Sequence, residues 1–113
     1  MKKINLAITG CMGRMGKQII KSLKSDNNFR LVTVTENRPI KKRINNIKID
    51  LNTISVFKNV DLIIDFTVPE CTFEILKIAT KLKKRVVIGT TGFSEKEENL
   101  IKKFAKKIPI LKA

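Results

Sequence analysis

The 113-residue chain contains no histidine, no tryptophan and no tyrosine, and only two cysteines. Six phenylalanines are its whole aromatic stock, which leaves little with which to stack nucleobases, so specific nucleic-acid binding is not expected. Cys11 and Cys71 lie sixty residues apart and form no Cys-x-x-Cys, which points away from a zinc site and from a redox pair. Two free thiols suit a reducing cytosol. No apolar stretch reaches the length of a membrane span. Met1-Lys2-Lys3 resembles the start of a signal peptide, but the apolar run behind it is interrupted by Asn5 and Gly10. No leader is expected, and the chain reads as soluble and cytoplasmic.

Acidic residues are also scarce: ten, against 24 lysines and arginines, for a net charge of +14. The cations are dispersed, in short groups such as Lys41-Lys42-Arg43, Lys83-Lys84-Arg85 and Lys106-Lys107. Lysine, isoleucine and asparagine are all heavily used and all have AT-rich codons, so mutational bias accounts for much of the excess. What remains is a general attraction to polyanions, a cofactor pyrophosphate included. A basic nucleic-acid-binding protein would instead show DNA affinity that falls steeply with salt.

Against these absences stands 42% hydrophobic content, enough for one domain with its own core and no covalent staples. Lys3–Thr9 reads as a first strand, Arg14–Lys24 as an amphipathic helix and Arg30–Thr35 as a second strand. Asn37–Asn52, polar and broken by Pro39, reads as a long surface loop with at most a turn of helix. Thr53–Phe57 is expected to be a short strand. Asp61–Phe66 is a buried strand, and Pro69 then suits the first turn of a helix running to Leu82. Arg85–Ile88 is a further strand. Ser94 and Glu97 have the spacing of a capping box and open a last helix to about Lys106, before a final strand at Ile108–Leu111. The order predicts an α/β domain with a Rossmann-like, doubly wound parallel sheet spanning residues 1–113.

Gly10, Gly13 and Gly16 follow the first strand and open the first helix, and Glu36 lies twenty residues beyond Gly16 at the end of the second strand. Glycines permit a tight turn close to a pyrophosphate, a helix N-terminus offers unpaired N–H groups, and a carboxylate accepts from a ribose hydroxyl. Open α/β sheets bind ligands beyond the carboxyl ends of their strands. Four segments fall there: Gly10–Gly16, Glu36–Arg38, Phe66–Pro69 and Gly89–Thr91. Each also has a plainer reading: a ligand-free turn for the glycines, a solvated carboxylate for Glu36, a surface cation for Arg14, a helix start for Thr67.

Three strings of this sequence are more specific: Ile8-Thr9-Gly10-Cys11-Met12-Gly13-Arg14-Met15-Gly16, Ile64-Asp65-Phe66-Thr67-Val68-Pro69-Glu70, and Val87-Ile88-Gly89-Thr90-Thr91-Gly92-Phe93. In this order, with Glu36 between the first two, they resemble the N-terminal domain of the 4-hydroxy-tetrahydrodipicolinate reductase (dihydrodipicolinate reductase) family. The resemblance covers nearly the whole chain. It implies NADH or NADPH as cofactor, with Gly10, Cys11, Met12, Gly13, Arg14 and Met15 around the pyrophosphate and Glu36 on the adenosine ribose. Gly89, Thr90 and Thr91 then approach the nicotinamide half with Thr67 nearby. Ala113, matching the first alanine of the family's Ala-Asn-Phe-Ser segment, joins the expected contacts.

Family members reduce a cyclic dicarboxylate in diaminopimelate and lysine biosynthesis. Many carry a basic residue directly after the ribose glutamate, where this chain has Asn37 and then Arg38, so use of both cofactors with some preference for NADH is expected. The family's histidine- and lysine-containing motif and Ser-Gly-Thr loop belong to a second, substrate domain that has no counterpart in these residues. The expectation is therefore a chain that binds the cofactor but does not reduce the substrate unaided, with apolar surface near Ile108–Leu111. The competing reading is a non-catalytic dinucleotide-binding module or the remnant of a decayed reductase gene.

Overall fold

The string Leu6-Ala7-Ile8 lies at the centre of the molecule, and all three residues are fully buried. Strand β1 (Ile4–Thr9) pairs in parallel with β2 (Phe29–Thr35) on one side and β5 (Leu62–Asp65) on the other. Successive side chains on a strand point to opposite faces, so β1 feeds two cores. Leu6 and Ile8 pack with Cys11, Ile20, Val34 and Ile49 beneath helix α1 (Arg14–Leu23). Ala7 packs with Phe57, Val60, Ile63, Ile75 and Leu76 on the face of α2 (Pro69–Leu82), where Ile101 of α3 (Glu95–Phe104) also docks. Burial on both faces explains why these strands show continuous apolar runs rather than alternation. The computed structural model describes residues 2–113.

The sheet has seven strands in the order β3-β4-β2-β1-β5-β6-β7, completed by β3 (Arg43–Ile44), β4 (Ile47–Asp50), β6 (Arg85–Ile88) and β7 (Ile110–Lys112). From β1 the chain winds outward through β2 to β4, then returns to β5 on the other flank and winds outward again through β6 to β7. The reversal between β1 and β5 leaves a crevice at their carboxyl ends, the place where open α/β sheets bind ligands.

Two expectations for the middle of the chain need correction. Residues 37–52 are not all loop: β4 adds to β2 through Val34–Ile49 and Thr35–Asp50, and β3 folds back on it antiparallel, so the sheet is mixed rather than wholly parallel. Asn45 and Asn46 both have positive φ, 49° and 66°, and form a two-residue turn whose twist suits a hairpin. Thr53–Phe57 is not a strand. With β4 already occupying the flank of β2, Ile54–Phe57 curls into a 3-10 turn that drops Phe57 into the core, while the Val56 carbonyl accepts from Thr33 Oγ1 at 2.9 Å.

At the other end the capping box forms as expected: Ser94 Oγ accepts from Glu97 N–H, and Glu97 Oε1 accepts from Ser94 N–H. The last strand begins two residues later than expected. Ile108 is buried and Leu111 is 66% exposed, so the apolar surface anticipated there narrows to Leu111. Among the described residues no helix is long and apolar enough to cross a membrane.

Candidate functional site

The β1–α1 turn crosses the crevice in close contact with the turn after β5. Gly10 has φ +71°, and a Cβ there would lie 2.1 Å from the Phe66 carbonyl oxygen, so glycine is required both for conformation and for space. Within the turn most N–H groups already have partners. Gly10 and Cys11 donate to the Thr35 carbonyl, Gly13 donates to Gly10, and Met12 donates to Glu36 Oε2 at 2.7 Å. Helix α1 begins its main-chain bonding at Lys17, which donates to Gly13, so the N–H groups of Arg14, Met15 and Gly16 have no partner among the described residues. Its N-cap is Gly13, without a capping side chain, and its first turn holds no acid.

The other helices differ. Helix α2 opens on Pro69, which has no N–H, followed by Glu70, and α3 is closed by its capping box with three glutamates in the first turn. Among the described residues only α1 offers three free donors and the acid-free positive end of its dipole to an anion.

Two cavities meet at this helix end. One, of about 200 Å³, is lined by Gly10, Gly13, Glu36, Asn37, Phe66, Thr67, Val68 and Cys71. The second, of about 260 Å³, is lined by Gly13, Arg14, Met15, Gly16, Phe66, Thr67 and Gly89–Thr91. They share Gly13, Phe66 and Thr67, and so form a groove from Glu36 across the helix N-terminus to the turn after β6. A larger cleft of about 680 Å³ under residues 39–43 and 48–51 touches none of the glycine turn. Size alone would therefore select a cavity that none of the expected contacts line.

Gly10, Gly13, Arg14, Met15, Glu36, Thr67, Gly89, Thr90 and Thr91 thus converge on one groove. Three expected contacts do not line it. The Cys11 side chain is fully buried in the α1 core; burial pushes its thiol up to about 11, and the Glu36 carboxylate adds to the rise. Met12 takes part through its N–H to Glu36. Ala113 stands beside the groove, its N–H donating to the Ile88 carbonyl at 2.8 Å, one residue before Gly89.

The residue-level reading of site contacts missed Phe66, which borders both cavities. A Cβ on Gly89 would lie 1.9 Å from its ring, so the ring packs directly against the glycine. It also missed Asp65. This carboxylate is fully buried at the end of β5 and accepts from four hydroxyls: Thr9 (2.6 Å) and Thr67 (2.8 Å) at Oδ1, Thr72 (2.5 Å) and Thr90 (3.0 Å) at Oδ2. The signal was present, since a charge closing an apolar strand needs buried partners and threonines follow it.

An open helix N-terminus over a glycine turn, at the switch point of a doubly wound sheet with a carboxylate at the end of β2, defines a dinucleotide-binding domain. Residues 4–113 match the family described as dihydrodipicolinate reductase, N-terminus, and the chain belongs to that family as its NAD(P)-binding domain. The 4-hydroxy-tetrahydrodipicolinate reductase of Pelagibacter ubique (strain HTCC1062) is 69% identical over all of this chain, which covers 44% of that relative. Among solved structures, a dipicolinate-bound dihydrodipicolinate reductase from Paenisporosarcina sp. TG-14 superimposes with TM-score 0.75 at 26% identity, over 92% of this chain and 43% of that one. Homoserine dehydrogenase of S. aureus reaches TM-score 0.80 at 20% identity, over the whole of this chain and 33% of that one, a likeness of fold. The chain spans less than half the length of the reductases it matches.

Proposed function

We propose that these 113 residues hold NADH or NADPH along the groove between Glu36 and Thr91. The adenosine ribose sits at Glu36, and the pyrophosphate sits on the Arg14, Met15 and Gly16 N–H groups above the Gly10–Gly13 turn. The nicotinamide half lies against Gly89, Thr90 and Thr91, with Phe66 and Thr67 below. The observation that carries this reading is the uncapped, acid-free N-terminus of α1, which differs from both other helices in the direction an anionic ligand requires. When bound, the nicotinamide supplies a hydride. The chain's own groups bind and orient it, since orientation accounts for much of such catalysis.

In the complete enzyme the acceptor of that hydride is a cyclic dicarboxylate of diaminopimelate and lysine biosynthesis. Reduction needs cationic and proton-donating residues that clamp this substrate, and these 113 residues contain no histidine. The domain reading is therefore cofactor binding across residues 1–113, with turnover only where a substrate-binding part is supplied.

Cofactor choice follows from Glu36, whose carboxylate accepts from ribose hydroxyls but repels a 2′-phosphate; Asn37 is neutral, and Arg38 and Lys41 are the nearest cations in sequence. Use of both cofactors with NADH preferred is expected. Titrating the purified chain with NADH and with NADPH, read by nicotinamide fluorescence, tests this. Saturable binding with tighter NADH is the expected result. A folded chain that binds neither overturns the reading, and a large preference for NADPH overturns the placement of the ribose at Glu36.

A further inference from the structure

A buried carboxylate is costly unless it is compensated, and among the described residues no lysine or arginine pairs with Asp65. Its compensation is entirely hydroxylic. An ionised carboxylate accepts only, and offers about four lone-pair positions. Here four threonines fill them, two at each oxygen. They come from four places: Thr9 from β1, Thr67 from the turn after β5, Thr72 from α2 and Thr90 from the turn after β6.

This arrangement determines where four protons point. Each threonine has a single O–H, and for each the Asp65 oxygen is its nearest acceptor; the alternatives, carbonyls of Ile64, Val68 and Asp65 itself and the hydroxyl contact between Thr67 and Thr72, lie at 3.3 to 3.5 Å. Thr67 and Thr90 are therefore left with lone pairs only. One lone pair of Thr90 Oγ1 accepts the Thr67 N–H at 2.9 Å, which ties the turn after β5 to the turn after β6. The Asp65 main chain reinforces the tie, its carbonyl accepting from Gly89 N–H at 2.8 Å. Thr67 borders both cavities and Thr90 the second. Thr67, the more open of the two, thus presents an acceptor to the groove, suited to ligand donors such as a carboxamide N–H₂ or a ribose O–H, while the buried Thr90 oxygen serves the tie between the turns.

We propose that Asp65 is a positioning residue for the nicotinamide half of the groove: by taking the hydroxyl protons of Thr67 and Thr90 it makes them acceptors and joins the two turns that carry them. The proposal rests on the cofactor reading above and adds to it how the second half of the site is given its polarity. Asp65 itself is fully buried and lines neither cavity.

The test compares ligands that reach different parts of the groove. NADH spans all of it, whereas ADP carries only the adenosine and the two phosphates. Asp65→Asn presents an N–H₂ to two of the four hydroxyls, which must rotate and turn an O–H outward. The variant is expected to bind NADH about tenfold more weakly, the equivalent of about one hydrogen bond, and ADP within about twofold of the wild-type chain. Thr72→Val removes one donor from the α2 side, at a fully buried residue that lines neither cavity. It should weaken NADH selectively and by less, and it decides the matter should Asp65→Asn fail to fold.

Equal losses for NADH and ADP, or loss of stability with both affinities unchanged, would mean that the carboxylate only supports the fold, and would overturn the proposal. A wild-type chain that binds neither ligand overturns the cofactor reading instead. A wild-type chain that binds ADP and NADH equally leaves no nicotinamide site to position, and overturns the proposal and the nicotinamide placement while the adenosine and pyrophosphate placement stands.

Discussion

Replacing Gly10 with alanine should destabilise the domain far more than the same change at Gly92, although both glycines have positive φ, +71° and +88°. An L-residue in the left-handed region costs roughly 1–2 kcal/mol, and both variants bear that cost. At Gly92 nothing lies within 4 Å of the added methyl, so the backbone term is the whole effect. At Gly10 the methyl would stand 2.1 Å from the Phe66 carbonyl oxygen and 2.9 Å from its carbon. These are main-chain atoms, so the two turns must separate by an ångström or more. The main-chain hydrogen bond from Phe66 N–H to the Thr9 carbonyl, already 3.3 Å, is the first to break, and a bond of the neighbouring Asp65 network follows.

Two such bonds at about 1 kcal/mol each bring the Gly10→Ala loss to roughly 3–4 kcal/mol. At about 4 °C per kcal/mol for a domain of this size, melting should fall by roughly 12–16 °C, against about 4–8 °C for Gly92→Ala. Urea unfolding followed by circular dichroism would read the same difference as a shift of midpoint at constant slope. Equal losses in the two variants would refute the close approach of the turns across the crevice.

Other expectations follow from the same contacts. Glu36→Gln keeps an oxygen for the Met12 N–H but removes the charge, so the ratio of NADPH to NADH affinity should rise about tenfold with little change in stability; an unchanged ratio would place the 2′ position elsewhere. The Cys11 thiol rises from an ordinary value of 9.0 to about 11, so between those pH values the unfolded chain sheds a proton that the native chain keeps, and stability falls as pH rises. The melting temperature of Cys11→Ala should decline less steeply from pH 9 to 11 than that of the wild-type chain, and parallel declines would refute the assignment. Ser94→Ala removes one half of the capping box and should cost about 1 kcal/mol in thermal melts while leaving NADH affinity unchanged, because neither Ser94 nor any residue of α3 lines the groove.

The sequence by itself determined the parts whose cause is local. Glycine spacing after an apolar strand, Pro69 at a helix start, Ser94 and Glu97 three apart, and runs such as Leu62-Ile63-Ile64 each reflect a constraint satisfied within a few residues. These placed the glycine turn, Glu36 and the Gly89–Thr91 turn correctly at strand ends. The Asn45-Asn46 turn is equally local, but the polar segment around it masks the two short strands it joins.

The tertiary structure decided what depends on competition for a shared place. Ile54–Phe57 has the composition of a strand, yet β4 had already taken the open flank of β2, so the segment became a 3-10 turn. Cys11 sits within the motif that surrounds a pyrophosphate, yet its side chain faces the core because the turn reverses direction at Gly10. The threonine cage of Asp65 gathers residues from positions 9 to 90, a separation that no periodicity encodes. Only the packing of β1, β5, α2 and the turn after β6 brings four hydroxyls to one buried charge, because a carboxylate removed from water must find its donors wherever the fold supplies them.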